Sequence, residues 1–177
     1  MDRARRRGAA LLFAVAAAAY VGDRLTKVWA ESRLAEAPIE LIDGVLTLRF
    51  TTNSGGAFSI GGSTPWIFVT ASVVVIGIIV VTSFRHTSLW SAAAVGLILG
   101  GALGNLTDRA IRGEAFRGRV VDFIDVHVWP IFNLADTAIV IGAAVLAFGS
   151  FLDGRDAHAQ ADADRDAEAD AEAPDAR

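Results

Sequence analysis

The chain has 177 residues, enough for one domain and an appendage, and 53% of them are apolar against 20% charged. The mean hydropathy of +0.45 and the high apolar fraction lie far outside the disordered range, and no nucleic-acid partner is expected. Having no cysteine, the chain also lacks disulfides, thiol nucleophiles and cysteine-ligated metals, and its three scattered histidines do not suggest a zinc site. The net charge of −4 is misleading, because residues 153–177 hold nine acids against three arginines. Residues 1–152 carry a net +2, so a slightly basic, very apolar domain precedes an acidic tail.

A bilayer core takes about 20 mostly apolar residues per helix. Four stretches approach that length, giving expected spans at about 9–29, 65–84, 88–107 and 131–152. The first follows Arg3, Arg5, Arg6 and Arg7. A cleaved leader is the rival reading there, but the apolar run continues to Leu25 and Trp29 and three more spans follow. The arginine cluster places the N-terminus in the cytoplasm. Four spans then put both termini inside, with 30–64 and 108–130 outside, although Arg109, Arg112, Arg117 and Arg119 in the second outer segment run against that rule.

In the first outer segment, Ile39–Ile42, Asp43-Gly44 and Val45–Leu48 read as a hairpin about an Asp-Gly turn. In the second, the mixed run Val120–Val128 is expected along the membrane interface, with Phe116, Phe123, Ile124 and Trp129 dipping in. The expected fold is an all-α membrane protein of four transmembrane helices with a small extracytoplasmic hairpin and an interfacial segment. Residues 1–152 would form the membrane domain, and 153–177, rich in Ala-Asp and Ala-Glu, a disordered cytoplasmic tail.

In this topology Asp23, Lys27, Asn53, Asn105, Asp108, Arg109, Asp122, Asp125, Asn133 and Asp136 all reach the outer side. Taken singly, most have a plain structural reading. Asp23 and Lys27 are spaced to pair along a helix. Asp108-Arg109 reads as a local pair, Asn53 as a turn, Asn105 and Asn133 as interhelical hydrogen bonds, and Asp125 and His127 as solvated interface residues. Asp136 resists such a reading, because it sits among apolar residues with no base within one turn. Intramembrane carboxylates cost about 2.5–3.5 kcal/mol at mid-span and usually face a partner or a wet cavity.

There is no Gly-x-Ser-x-Gly elbow and no phosphate-binding glycine loop. Carboxylates remain. Two held close share a proton, so one can act as base on a water and the other as acid, without a metal. Asp122 and Asp136 make a plausible pair, but spacing alone does not choose them from Asp23, Asp108, Asp122, Asp125 and Asp136.

Five blocks occur in order: Asp23-Arg-Leu-Thr-Lys27, Thr52-Asn-Ser-Gly-Gly-Ala-Phe58, Gly101-Ala-Leu-Gly-Asn-Leu-Thr-Asp-Arg109, Val120-Val-Asp-Phe-Ile-Asp125 and Phe132-Asn-Leu-Ala-Asp-Thr137. Over about residues 8–152 the chain resembles the lipoprotein signal peptidases (signal peptidase II). The resemblance implies a bacterial intramembrane aspartic peptidase that cuts prolipoproteins just before a diacylglyceryl-modified cysteine. It implies Asp122 and Asp136 as catalytic residues, with Asn53, Gly56, Asn105, Asp108, Arg109 and Asn133 around them and Asp23 and Lys27 in support. It also implies no cofactor or metal, membrane-lipid contacts, inhibition by globomycin and a monomer in the cytoplasmic (inner) membrane. Arg24 stands where the family commonly has Gln, and the acidic tail lies outside the pattern. The functional rivals are a small proton-coupled membrane transporter subunit, a lipid-modifying transferase and a structural subunit.

Overall fold

The computed structural model describes residues 3–55, 66–85 and 88–151. Four helices are long and apolar enough to cross a membrane: α1 (Arg3–Arg33), α2 (Trp66–Thr82, extended by a 3-10 turn to Arg85), α3 (Leu89–Ile111) and α4 (Leu134–Phe151). At 1.5 Å per residue, α1 is about 46 Å long, well beyond a hydrocarbon core of about 30 Å. Its arginine-rich start and its last turn, which is longer than the expected span, therefore protrude.

Helix α3 is the hub, because small residues let its backbone approach its neighbours. A Cβ on Gly100 would stand 2.5 Å from Ala16 O of α1, and one on Gly101 would stand 2.4 Å from Ala135 O of α4. The contacts of α3 with α1 rise together along both chains, from Gly96 with Leu12 to Gly104 with Asp23, so these helices run parallel. Those with α4 run in opposite order, Gly101 with Ala135 and Gly142 with Ala94. The starts of α1 and α3 and the end of α4 thus share one end of the bundle. Leu12, Ala16, Ile79, Ala92, Val95 and Leu99 form the core between α1, α2 and α3. Val73, Ile78, Val81, Trp90, Val140 and Phe148 point outward, as lipid-facing residues do.

At the other end lies an antiparallel sheet ordered β1 (Ile39–Ile42), β2 (Leu46–Asn53), β3 (Val120–Asp125). The expected hairpin is present, turning through Gly44 at φ 65°. The run Val120–Val128, expected along the membrane interface, begins as a strand: its first six residues are β3, paired with β2 from Thr47–Asp125 to Asn53–Val120. Phe123, expected to dip into lipid, is buried with Ala30 of α1 and Leu34 just beyond it, and Ile124 packs against the same cluster. The protruding end of α1 gives the sheet a surface to cover, and Phe123 is the strand residue buried against it.

Candidate active site

The start of α4 places the central groups. Asn133 precedes the helix as its N-cap and Asp136 is its third residue. The Asp136 N–H donates to Asn133 Oδ1 at 2.9 Å, and the Asn133 N–H donates back to Asp136 Oδ2 at 3.3 Å. This is a reciprocal capping box with Asp in the place of the usual Glu. Helix capping, a local requirement, thereby fixes the Asp136 carboxylate at the polar end of the bundle.

The same Asn133 reaches the sheet. Its Nδ2 donates to Asp122 Oδ1 at 2.6 Å and to Asn105 Oδ1 of α3 at 3.2 Å. Asn105 Nδ2 in turn donates to Asp136 Oδ1 at 2.7 Å. Asp122 and Asp136 thus lie on either side of a two-asparagine bridge, close enough that the charge of Asp136 acts on Asp122. The two carboxylates differ in exposure: Asp122 is 2% exposed, whereas Asp136 is only partly buried. Burial first, then the charge of Asp136, pushes the Asp122 carboxyl up to about 6, against hydrogen bonds from Asn133 and Asn53 that favour the anion.

A buried ionic network stands behind this pair. Lys27 Nζ forms ion pairs with Asp23 Oδ2 at 2.9 Å and Asp108 Oδ2 at 3.0 Å and donates to Asn105 Oδ1 at 2.9 Å. Asp23 Oδ1 accepts from the Ala135 N–H at 3.0 Å, capping α4 from α1, and Gly104 leaves room for Asp23. Asp108 also accepts from the Val121 N–H of β3 at 3.2 Å and from Arg112 Nε at 3.0 Å, and it pairs with Arg24. One lysine and two aspartates therefore tie α1, α3, β3 and α4 together.

Asp108-Arg109 is not a local pair. Asp108 faces Lys27, while Arg109 donates to Gly55 O at 3.0 Å and lies over the Phe68 ring of α2 at 5.6 Å. The Arg109 cation is within electrostatic reach of both Asp122 and Asp136. Asn53 forms the expected turn, accepting from the Gly55 N–H at 2.9 Å. Asp125 departs from expectation: it is buried and paired with Arg49 Nε at 2.7 Å, because β3 turns it onto the sheet. Gly56 lies outside the described residues. Arg24, Arg112 and Glu31, which pairs with Arg112, were not read as site residues. Only the four-residue spacing of Asp108 and Arg112 on one helix face signalled such a role.

Among the described residues no group of His, Cys, Asp and Glu could hold a metal ion. The arrangement suits acid–base chemistry on a water between two carboxyl groups, at the polar end of an apolar bundle.

The family model for signal peptidase (SPase) II matches residues 15–152. The lipoprotein signal peptidase of Mycobacterium avium (strain 104) is 43% identical over 148 residues, covering 82% of this chain and 80% of that one. Those of Rhodococcus jostii (strain RHA1) and Caldicellulosiruptor bescii are each 41% identical, over 77% and 73% of this chain and 70% and 83% of theirs. Two bacterial membrane enzymes solved by the in meso method share the fold. One, at 2.3 Å resolution, has a TM-score of 0.72 at 26% identity and covers 81% of this chain and 88% of that one; the other, at 1.9 Å, has 0.68 at 25% over 78% and 90%. This multi-pass membrane protease belongs to the signal peptidase II family.

Proposed function

We propose that the chain is an intramembrane aspartic endopeptidase that removes signal peptides from diacylglyceryl-modified prolipoproteins, with Asp122 and Asp136 as its catalytic residues. The observation that carries this reading is the asparagine bridge: two carboxylates from separate elements meet across Asn133 and Asn105. Sharing one proton, they act together. The ionised carboxylate takes a proton from water as its oxygen attacks the scissile carbonyl, and the protonated partner gives its proton to the carbonyl oxygen. When the C–N bond breaks, the proton gained from water passes to the leaving amine, and the diol returns a proton to the second carboxylate as the product carboxyl forms. The proton belongs to the pair rather than to one named residue. Asn105 and Asn133 hold the carboxylates in place, Lys27 and Asp23 support them from α1, Asp108 from α3, and Arg109 with Gly55 and Asn53 lines the approach beside them.

The substrate is itself membrane-held and acylated, so a polar site at the end of an apolar bundle meets the cleavage point at its own depth. In this reading residues 1–152 are the peptidase domain in the bacterial inner membrane, both termini are cytoplasmic, and the site opens on the outer face. The enzyme acts as a monomer without cofactor, contacts membrane lipids and is blocked by globomycin. A proton-coupled transporter would need a polar path through the bundle. Among the described residues the buried Asp, Lys and Arg side chains are Asp23, Lys27, Asp108, Arg109, Asp122 and Asp125, all at the sheet end.

The test mixes purified enzyme with a prolipoprotein carrying or lacking the diacylglyceryl group. Cleavage of the lipidated form, unaffected by EDTA, with little cleavage of the other, is expected. Equal cleavage of both forms, or none of either, would refute the assignment.

A further inference from the structure

Strand β3, which carries Asp122, is flanked by two turns in which a bulky residue adopts positive φ. Phe116 has φ 60° and His127 has φ 62°, a region L-residues enter only when their surroundings hold them there. At His127 the Val128 N–H donates to Val126 O at 2.7 Å, closing a three-residue turn of the rarer, strained sort. Asp125 Oδ1 clamps it by accepting from the His127 N–H at 2.8 Å, and Thr47 Oγ1 lies 3.0 Å from His127 Nε2. At the other end, Gly118 N–H donates to Arg109 O at 3.1 Å and Arg117 N–H to Glu114 O at 3.0 Å, fixing the turn that holds Phe116.

These constraints do not bury the side chains they position. Val128 is 91% exposed, Trp129 57%, Phe116 49%, and Ile111 beside it 63%. Exposed apolar side chains grouped at each turn mark a contact surface. Their neighbours indicate what covers them. Ile111 is the last residue of the membrane-length helix α3, and Trp129 is followed after Pro130–Asn133 by the membrane-length helix α4. Both tips therefore leave or enter the bundle at span ends, where aromatic side chains favour the boundary between hydrocarbon and headgroups. Exposed Arg117 and Arg119 flank the first tip, against one exposed acid, Glu114. Such basic residues suit anionic headgroups. At about 3.3 Å per residue, the six-residue strand keeps the tips roughly 20 Å apart, on either side of Asp122.

We propose that the Phe116 and Val128–Trp129 turns are paired anchors seated in the headgroup layer of an anionic bilayer, on the side that holds Asp122 and Asp136, and that together they fix the depth of β3. Phe123 and Ile124, between them, serve the protein core instead.

The absence of cysteine makes the test direct. Phe116→Cys, Val128→Cys and, as reference, Asp43→Cys in the exposed hairpin turn each take one nitroxide label, in vesicles of phosphatidylglycerol and phosphatidylcholine. Relative to position 43, labels at 116 and 128 are expected to favour collisions with oxygen over a water-soluble nickel chelate severalfold. In otherwise native protein, Trp129→Ser is expected to remove a component of fluorescence quenched by brominated lipid. Chelate collisions at 116 and 128 equal to those at 43, or an unchanged quenched fraction in Trp129→Ser, would overturn the proposal. Neither measurement involves cleavage, so this outcome is independent of the proposed reaction.

Discussion

Asp122 shows how one residue's surroundings set its chemistry. Its carboxyl is pushed up to about 6 by burial and by the charge of Asp136. Removing that charge in Asp136→Asn is therefore expected to move the Asp122 midpoint downward, read by carboxyl infrared absorption during a pH titration. An unmoved midpoint would mean the two groups do not interact. The raised value also has a sign for stability. A carboxyl bound to its proton more tightly when folded than when unfolded stabilises the fold most below pH about 4, and that contribution is lost as pH rises through about 6. Asp122→Asn is expected to raise thermal stability at neutral pH, by up to about 3 kcal/mol, and the gain should vanish below pH about 4. Of the residues in this cluster, the sequence singled out Asp136 by its apolar neighbours. It could not separate Asp122 from Asp125, which alternate with other residues on one short strand. Pairing with β2 decides between them, turning Asp125 to Arg49 and Asp122 to Asn133.

At the scale of elements, the helices were legible because length and composition suffice to mark a span. β3 was not. Its run Val-Val-Asp-Phe-Ile-Asp contains no clean alternation, since both of its faces are covered and the residues that pair with it lie about 70 positions away. The cap role of Asn133 was equally hidden, although Asn three residues before Asp is a capping pattern once the helix start is known. Two element-level outcomes follow from the close packing of α3. Gly100→Val, pressing on Ala16 O, is expected to destabilise by at least about 1–3 kcal/mol, whereas Gly77→Ala, with nothing within 4 Å, should be neutral or slightly stabilising. Comparable melting temperatures for the two variants would contradict the packing described. Lys27→Met leaves Asp23 and Asp108 buried without their shared cation and is expected to cost about 3–5 kcal/mol. A variant as stable as wild type in the same denaturation assay would show that the network is dispensable.

For the whole molecule, the parallel course of α1 and α3 and the reversed α4 gather the polar residues of five elements at one end. The sequence conveyed this through the alternation of four spans, which brings the span ends carrying these residues to the same end of the bundle. The overall charge, by contrast, describes the acidic tail. Removing residues 156–177 is expected to leave cleavage unchanged in a purified assay, and a large loss would show that the tail takes part. The central claim is that Asp122 and Asp136 together perform hydrolysis. Its most direct measurement is the single-turnover cleavage rate of a diacylglyceryl-modified prolipoprotein by Asp122→Asn, Asp136→Asn and the double variant, each first shown to be folded. Loss of a shared acid–base function is worth roughly 10²–10⁴-fold or more in rate, and the double variant should be no slower than the slower single one. Near wild-type rates in either single variant would contradict the account.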